Sequence, residues 1–176
     1  EVEVDEVYLA LTDRQNPISE MTRSSRKSRT AKALVVIAVE IHHPKGFGRI
    51  RIHQIEKGDY SHLIPFIKAS VAEGALIHSD GSSAYRNLDE IGYTHRRSVH
   101  LGSDVAAYES MPGVHRVAAL LQRWLLGTHH GAIQPKQLDY YLDEFVFRFN
   151  RRASKSRGLL FYRLLQRSIL TSPVTY

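Results

Sequence analysis

The sequence predicts a mixed α/β domain, a five-stranded sheet flanked by helices with further helices toward the C-terminus. Two patterns carry this expectation. Short β-branched runs alternate with helically spaced segments through the first part of the chain, whereas beyond Gly113 the apolar residues fall at helical spacing only. Size agrees: 176 residues with 43% hydrophobic and 24% charged side chains suit one well-buried domain, not two.

Glu1–Ala10 alternates as a strand, with Val2, Val4, Val7 and Leu9 as packing residues. Residues 11–30 are polar, basic and aperiodic, and read as a mobile loop. Ala33–Ile41 is a β-branched run suited to a buried central strand. The turn HHPKGFG then leads to a strand over Arg49–Ile55, marked by Ile50, Ile52 and Ile55, and the two strands should pair as a hairpin. Asp59 reads as the N-cap of a helix over Tyr60–Ala72, whose Leu63, Ile64, Ile67 and Val71 share a face. A fourth strand follows at Ala75–His78, ending in Ser79–Asp80–Gly81. Ser82–Ile91 reads as a short helix closed by Gly92, and Tyr93–Leu101 as a fifth strand. Three antiparallel strands followed by helix-linked strands are the order of a ribonuclease-H-like fold.

The remainder is helical. In Gly113–Leu126, Val114, Val117, Ala118, Leu121, Trp124 and Leu125 form one stripe, and His115 with Gln122 lies on another face. Gln134–Arg152 is the strongest helix, with Pro135 in its first turn and Leu138, Tyr141, Leu142, Phe145 and Phe149 as its core face. Gly158–Leu170 is a last amphipathic helix with Leu160, Phe161, Leu164, Leu165 and Ile169 expected to pack inward. Residues 1–152 thus read as the core domain and 153–176 as a helical extension.

The net charge of +6 points to a polyanionic partner. One basic cluster, including Arg26, Lys27 and Arg29, lies in the polar loop; another, including Arg148, Arg151 and Arg152, closes the strongest helix. Such clusters suit a phosphate backbone and make nucleic acid the expected partner. No apolar run is long enough to span a bilayer as a helix, so no membrane partner is expected. The absence of cysteine removes any disulfide framework or cysteine-based zinc site and suits a cytosolic protein. The chain opens on a strand at Glu1, which suggests a preceding segment.

EVEVDEVYL and LIHSDGSSAY each place one aspartate, Asp5 and Asp80, in or just after a short apolar strand. Two strand-end carboxylates far apart in sequence suit a Mg²⁺-dependent phosphoryl-transfer site, because a hard cation takes oxygen ligands and keeps positions open for phosphate and water. An aspartate in such a place is also a common turn former or helix cap. The pairs His42–His43 and His129–His130 are poor metal sites: adjacent histidines on a strand point to opposite faces, and no carboxylate lies at ligand spacing in sequence.

EVEVDEVYL, AKALVVIAVE, IHSDGSSAY, GVHRVAALLQRWLLGTHHG and QPKQLDYYLDEFVFRFNRR, in that order, resemble successive blocks of the ISXO-type insertion-sequence transposases of the DDE superfamily. The resemblance runs from Glu1 to about Arg152. It implies a ribonuclease-H-like catalytic core in which Asp5 and Asp80 are the first two catalytic carboxylates and metal ligands. The third position, where members carry Asn, Glu or His, falls on His115, 35 residues after Asp80. Many members carry a lysine seven residues further on; Gln122 stands there, with Arg123 beside it. Arg116, Gln122 and Arg123 join Arg26, Lys27, Arg29, Arg151 and Arg152 as expected DNA contacts. Glu109 and Glu144 are reserve carboxylates, with Glu6 also close, although Glu144 can equally pair with Arg148 at i+4.

The resemblance further implies Mg²⁺ as cofactor with Mn²⁺ as substitute, and DNA, both element ends and target, as partner. It also implies self-association on DNA, a bacterial-type cytosolic or nucleoid location, and a cysteine-rich zinc ribbon preceding the core. The implied reaction is hydrolysis of a phosphodiester at the element's end, then direct transesterification into target DNA. Two other readings stay open: a decayed, non-catalytic DNA-binding remnant, and a ribonuclease-H-like nuclease that only hydrolyses.

Overall fold

The computed structural model describes residues 1–12, 30–98, 110–130 and 133–170. β1 (Val2–Thr12), β2 (Thr30–Ile41) and β3 (Phe47–Ile55) are followed by α1 (Tyr60–Ser70), β4 (Leu76–Asp80) and β5 (Thr94–Ser98). Three helices complete the chain, α2 (Pro112–His129), α3 (Leu138–Asn150) and α4 (Arg157–Ser168). The five strands form one sheet in the order β3-β2-β1-β4-β5. β2 pairs antiparallel with β1 on one side and β3 on the other, and β4 joins β1, and β5 joins β4, in parallel.

Both faces of the sheet are covered, so the middle of β2 is apolar on both sides. In β2, every residue from Ala33 to Val39 is buried, with successive side chains entering opposite layers. Leu34, Val36 and Ala38 meet Leu63, Phe66 and Ile67 of α1. Val35, Ile37 and Val39 meet Val114, Val117 and Leu121 of α2 and Leu142 of α3. The same alternation divides β1: Val4 faces α1, whereas Val7, Leu9 and Leu11 face α2 and α3.

The hairpin forms as expected, with Ile52 opposite Ile37. Ile55, however, does not share a face with Ile50 and Ile52. An offset of three residues reverses the side-chain direction on a strand, and Ile55 packs in the α1 layer. Asp59 caps α1 by accepting the His62 N–H at 3.2 Å.

Three further expectations are corrected. The expected loop at 11–30 is shorter, because Leu11 continues β1 and is buried against the α2 layer; residues 13–29 lie outside the described residues. Ser82–Ile91 is not one helix but two 3₁₀ turns, Ser83–Tyr85 and Asp89–Ile91, and Gly92 closes the second at φ 92, a left-handed conformation that suits glycine. α4 forms, but its apolar residues do not pack inward: Phe161 is 65%, Leu164 51% and Ile169 81% exposed.

Asn150 fastens the end of α3 to the outer edge of β3. Its Oδ1 accepts the Ile50 N–H at 2.7 Å and its Nδ2 donates to the Ile50 carbonyl at 3.0 Å, as a neighbouring strand would. No helix among the described residues is long and apolar enough to cross a membrane.

Candidate active site

Asp5 and Asp80 lie near one another: the charges of both act on Glu6 and on Tyr85. β1 and β4 pair in parallel at Val2 with Ile77 and Glu3 with His78, and the same offset carried forward along the two strands would set Asp5 level with Asp80. Asp5 lies within β1, and its Oδ1 accepts the Glu6 N–H at 2.9 Å. Asp80 is the last residue of β4, and its Oδ1 accepts the Ser82 N–H at 2.9 Å, which shapes the turn leading away from the strand.

α2 brings in His115. Its Nδ1 stands 4.0 Å from Asp5 Oδ2, and both side chains are partly open to solvent. The other ring nitrogen, Nε2, is buried with no hydrogen-bond partner. Asp5, Glu6 and His115 line a small cavity of about 150 Å³, whose apolar wall includes Val7, Ile37 and Ala118. The flank of α2 beside the core stripe therefore turns toward the first aspartate, with Val114 of the stripe lining the same cavity.

Glu6 occupies the other side of β1. Its Oε2 accepts a 2.7 Å hydrogen bond from the hydroxyl of Tyr85, which is fully buried. Burial pushes the Glu6 carboxyl up to about 7; the Tyr85 hydrogen bond opposes this, and the charges of Asp5 and Asp80 add to it. Burial likewise drives the Tyr85 phenol well above its ordinary value, with the Glu6 charge next in importance. Tyr85 was not singled out from the sequence, although it ends the quoted block IHSDGSSAY only five residues after Asp80.

Glu144 is not brought to this site. It holds Arg148 in a 2.7 Å ion pair along α3 and borders a cleft of about 770 Å³ together with Arg49, Arg51, Arg151 and Arg163. Glu109 lies outside the described residues, as do Arg26, Lys27 and Arg29. Arg116, Gln122 and Arg123 are exposed on α2, and Gln122 stands two turns beyond His115 on the same side of the helix. Arg151 and Arg152 serve the fold. Arg151 lies 3.9 Å over the Phe147 ring, and Arg152 lies over Phe149 and donates to the carbonyls of Phe47 and Gly48.

The adjacent histidines do part company, but each has a carboxylate beside it that sequence spacing did not reveal. His42 stands 3.4 Å from Glu40 and His43 2.7 Å from Glu1. Among the described residues, no three His, Asp or Glu side chains converge closely enough to hold an ion.

The donor set nonetheless suits a divalent metal in its chemistry. Two carboxylates stand on adjacent parallel strands, and an imidazole with a buried nitrogen that has no partner among the described residues lies beside one of them. The sheet order is that of a ribonuclease-H-like scaffold. The chain belongs to the ISXO2-like transposase domain family, whose model matches residues 1–150. Among solved structures it is similar to the catalytic core domain of BIV integrase, with 12% identity, 95% of this chain and 97% of that chain covered, and a TM-score of 0.51. At that identity the likeness speaks for the fold alone. No curated protein matches the chain.

Proposed function

We propose that this domain hydrolyses a phosphodiester at the end of a mobile DNA element and joins the freed 3′-hydroxyl to target DNA. What supports the proposal is that Asp5 and Asp80 stand on adjacent parallel strands whose register, carried forward, would bring them level, with His115 of α2 4.0 Å from Asp5.

Asp5 and Asp80 would hold a divalent cation, Mg²⁺ or Mn²⁺, with His115 as a third ligand. When bound, such an ion lowers the pKa of an attacking water and offsets charge on the scissile phosphate. The chain's own groups prepare that site. Asp5 and Asp80 keep their orientation through backbone hydrogen bonds from Glu6 and Ser82. Glu6, shielded with Tyr85 behind β1 and with its carboxyl pushed up to about 7, is only about half ionised at neutral pH and so adds less negative charge than an exposed glutamate would. Arg116 and Arg123, exposed on the helix that carries His115, would bind the DNA backbone as charges without reading sequence. The Gln122 amide offers a hydrogen bond but no charge at the position where many relatives carry lysine.

Incubating the chain with intact and with pre-nicked element ends and a target plasmid in Mn²⁺ separates the possibilities. Covalent joining of the end to the plasmid is the expected result. Cleavage without joining would replace the proposal with a hydrolysis-only nuclease. Binding without either reaction would replace it with a DNA-binding remnant.

A further inference from the structure

Two residues before Asp5, on the same side of β1, a second carboxylate performs an unusual task. Glu3 is only 3% exposed, yet it has no cationic partner among the hydrogen bonds and ion pairs of the described residues. Its Oε2 instead accepts the backbone N–H of Val114 at 2.8 Å, and the Gly113 N–H, pointing the same way, also favours the charged carboxylate. These are donors of the first turn of α2, groups that a helix cannot satisfy internally. A local side chain normally meets them, as Asp59 does for α1, but Met111 at the N-cap of α2 makes no side-chain bond. The capping group comes from 111 positions away.

The choice of capping residue fixes more than a helix end. A local cap ties a helix to its own preceding loop, whereas Glu3 ties α2 to the strand that carries Asp5. Val114 immediately precedes His115, and Glu3 is two residues from Asp5. The Glu3–Val114 bond therefore sets how far His115 stands from Asp5.

Gly113 completes the fit. A Cβ at that position would lie 2.8 Å from Glu3 Oε2 and 2.5 Å from Ile41 Cδ1, so any side chain would displace the Glu3 carboxylate and Ile41 or push the start of α2 from the sheet. Glycine allows the close approach that the carboxylate needs.

We infer that Glu3, with Gly113 as its seat, is a positioning residue that clamps α2 onto β1 and thereby holds His115 against Asp5 as a preassembled part of the metal site. This inference rests on the metal-site reading above for its consequence, but the clamp itself can be tested without activity. First-turn amides of a helix ordinarily exchange quickly with solvent. In the wild-type chain the Val114 amide should exchange slowly, and in Glu3→Met, which keeps the bulk but removes the acceptor, it should exchange faster, together with Gly113.

The positioning role is read on metal binding. Paramagnetic broadening of the His115 ring signals by Mn²⁺ should require about tenfold more metal in Glu3→Met than in wild type, the size typical of a lost supporting partner. In a His115→Ala background, followed by broadening around Asp5, Glu3→Met should produce no further loss, because its effect passes through His115. If Glu3→Met fails to fold, Gly113→Ala, which crowds the same contact, should give the same pattern. Unchanged Val114 exchange would overturn the clamp. An equal loss of metal affinity with and without His115 would reduce Glu3 to a general structural role and overturn the positioning inference. Should the wild-type chain bind Mn²⁺ at His115 yet fail to join DNA, the proposed function fails while the clamp stands.

Discussion

Glu6→Gln should stabilise the metal-free protein at alkaline pH and leave it nearly unchanged in acid. Glu6 is packed behind β1 against Tyr85, with Asp5 and Asp80 as the charges that face it. Its folded-state pKa of about 7 lies above the ordinary 4.5. Below the lower value both folded and unfolded chains carry the proton, and burial of the neutral carboxyl incurs no charge penalty. Between the two values the unfolded chain releases a proton that the folded chain retains, so stability declines as pH rises. Above about 7 the folded state must hold the charge, and the loss levels off. Converted at about 1.36 kcal/mol per pH unit, the full gap corresponds to about 3 kcal/mol. Glutamine keeps the shape and an oxygen to accept the Tyr85 hydroxyl but never ionises, so the variant should avoid this loss. The assay is urea unfolding of both proteins in EDTA at pH 4.5, 6 and 8.5, with the difference between them isolating Glu6 from every other titrating group. A wild-type minus variant difference that does not change with pH would refute the reasoning, as would a variant less stable than wild type at pH 8.5.

Three further outcomes are expected. Asn150→Ala should lower stability by about 1–3 kcal/mol, because it leaves the Ile50 N–H and carbonyl of the β3 edge without their partner; thermal unfolding reads this, and an unchanged Tm would contradict it. Gln122→Lys should tighten DNA binding at low salt and steepen the plot of log affinity against log salt by about one counterion, and an unaltered slope would show that this position does not meet phosphate. His115→Glu should shift the relative rate in Mg²⁺ and Mn²⁺ toward Mg²⁺, since a carboxylate suits the harder ion better than imidazole; plasmid nicking across both titrations reads the ratio, and equal Mg²⁺ preference in both proteins would count against His115 as a ligand.

Much of the sheet was legible because its signals are local. The β-branched run of β2 could only be a strand buried on two faces, and Asp59 announced α1 by residue type. What depended on partners was not legible. α4 has the amphipathic spacing expected of a packed helix, yet spacing says nothing of whether a partner is present, and Phe161 and Ile169 remain exposed. The three-residue step from Ile52 to Ile55 hid a change of face, because β3 is covered by different helices on its two sides.

At the candidate site, Asp5, Asp80 and His115 were placed by motif, and the register of β1 and β4 gives the aspartates a physical reason to stand together. Glu3 and Tyr85 could not be found that way. Each acts through a contact to a distant element, Glu3 to Val114 and Tyr85 to Glu6, and a single sequence carries no trace of such pairings. Arg151 and Arg152 show the converse: a basic cluster in sequence can be spent partly on the fold, against aromatic rings and strand carbonyls.

The most direct test of the central claim is nicking of supercoiled plasmid in Mn²⁺ by the wild-type chain and by Asp80→Asn, with DNA binding measured alongside. The account predicts nicking by the wild type, none by the variant, and undiminished DNA binding by both. Equal nicking by the two proteins would contradict it, since Asp80 would then have no part in the chemistry.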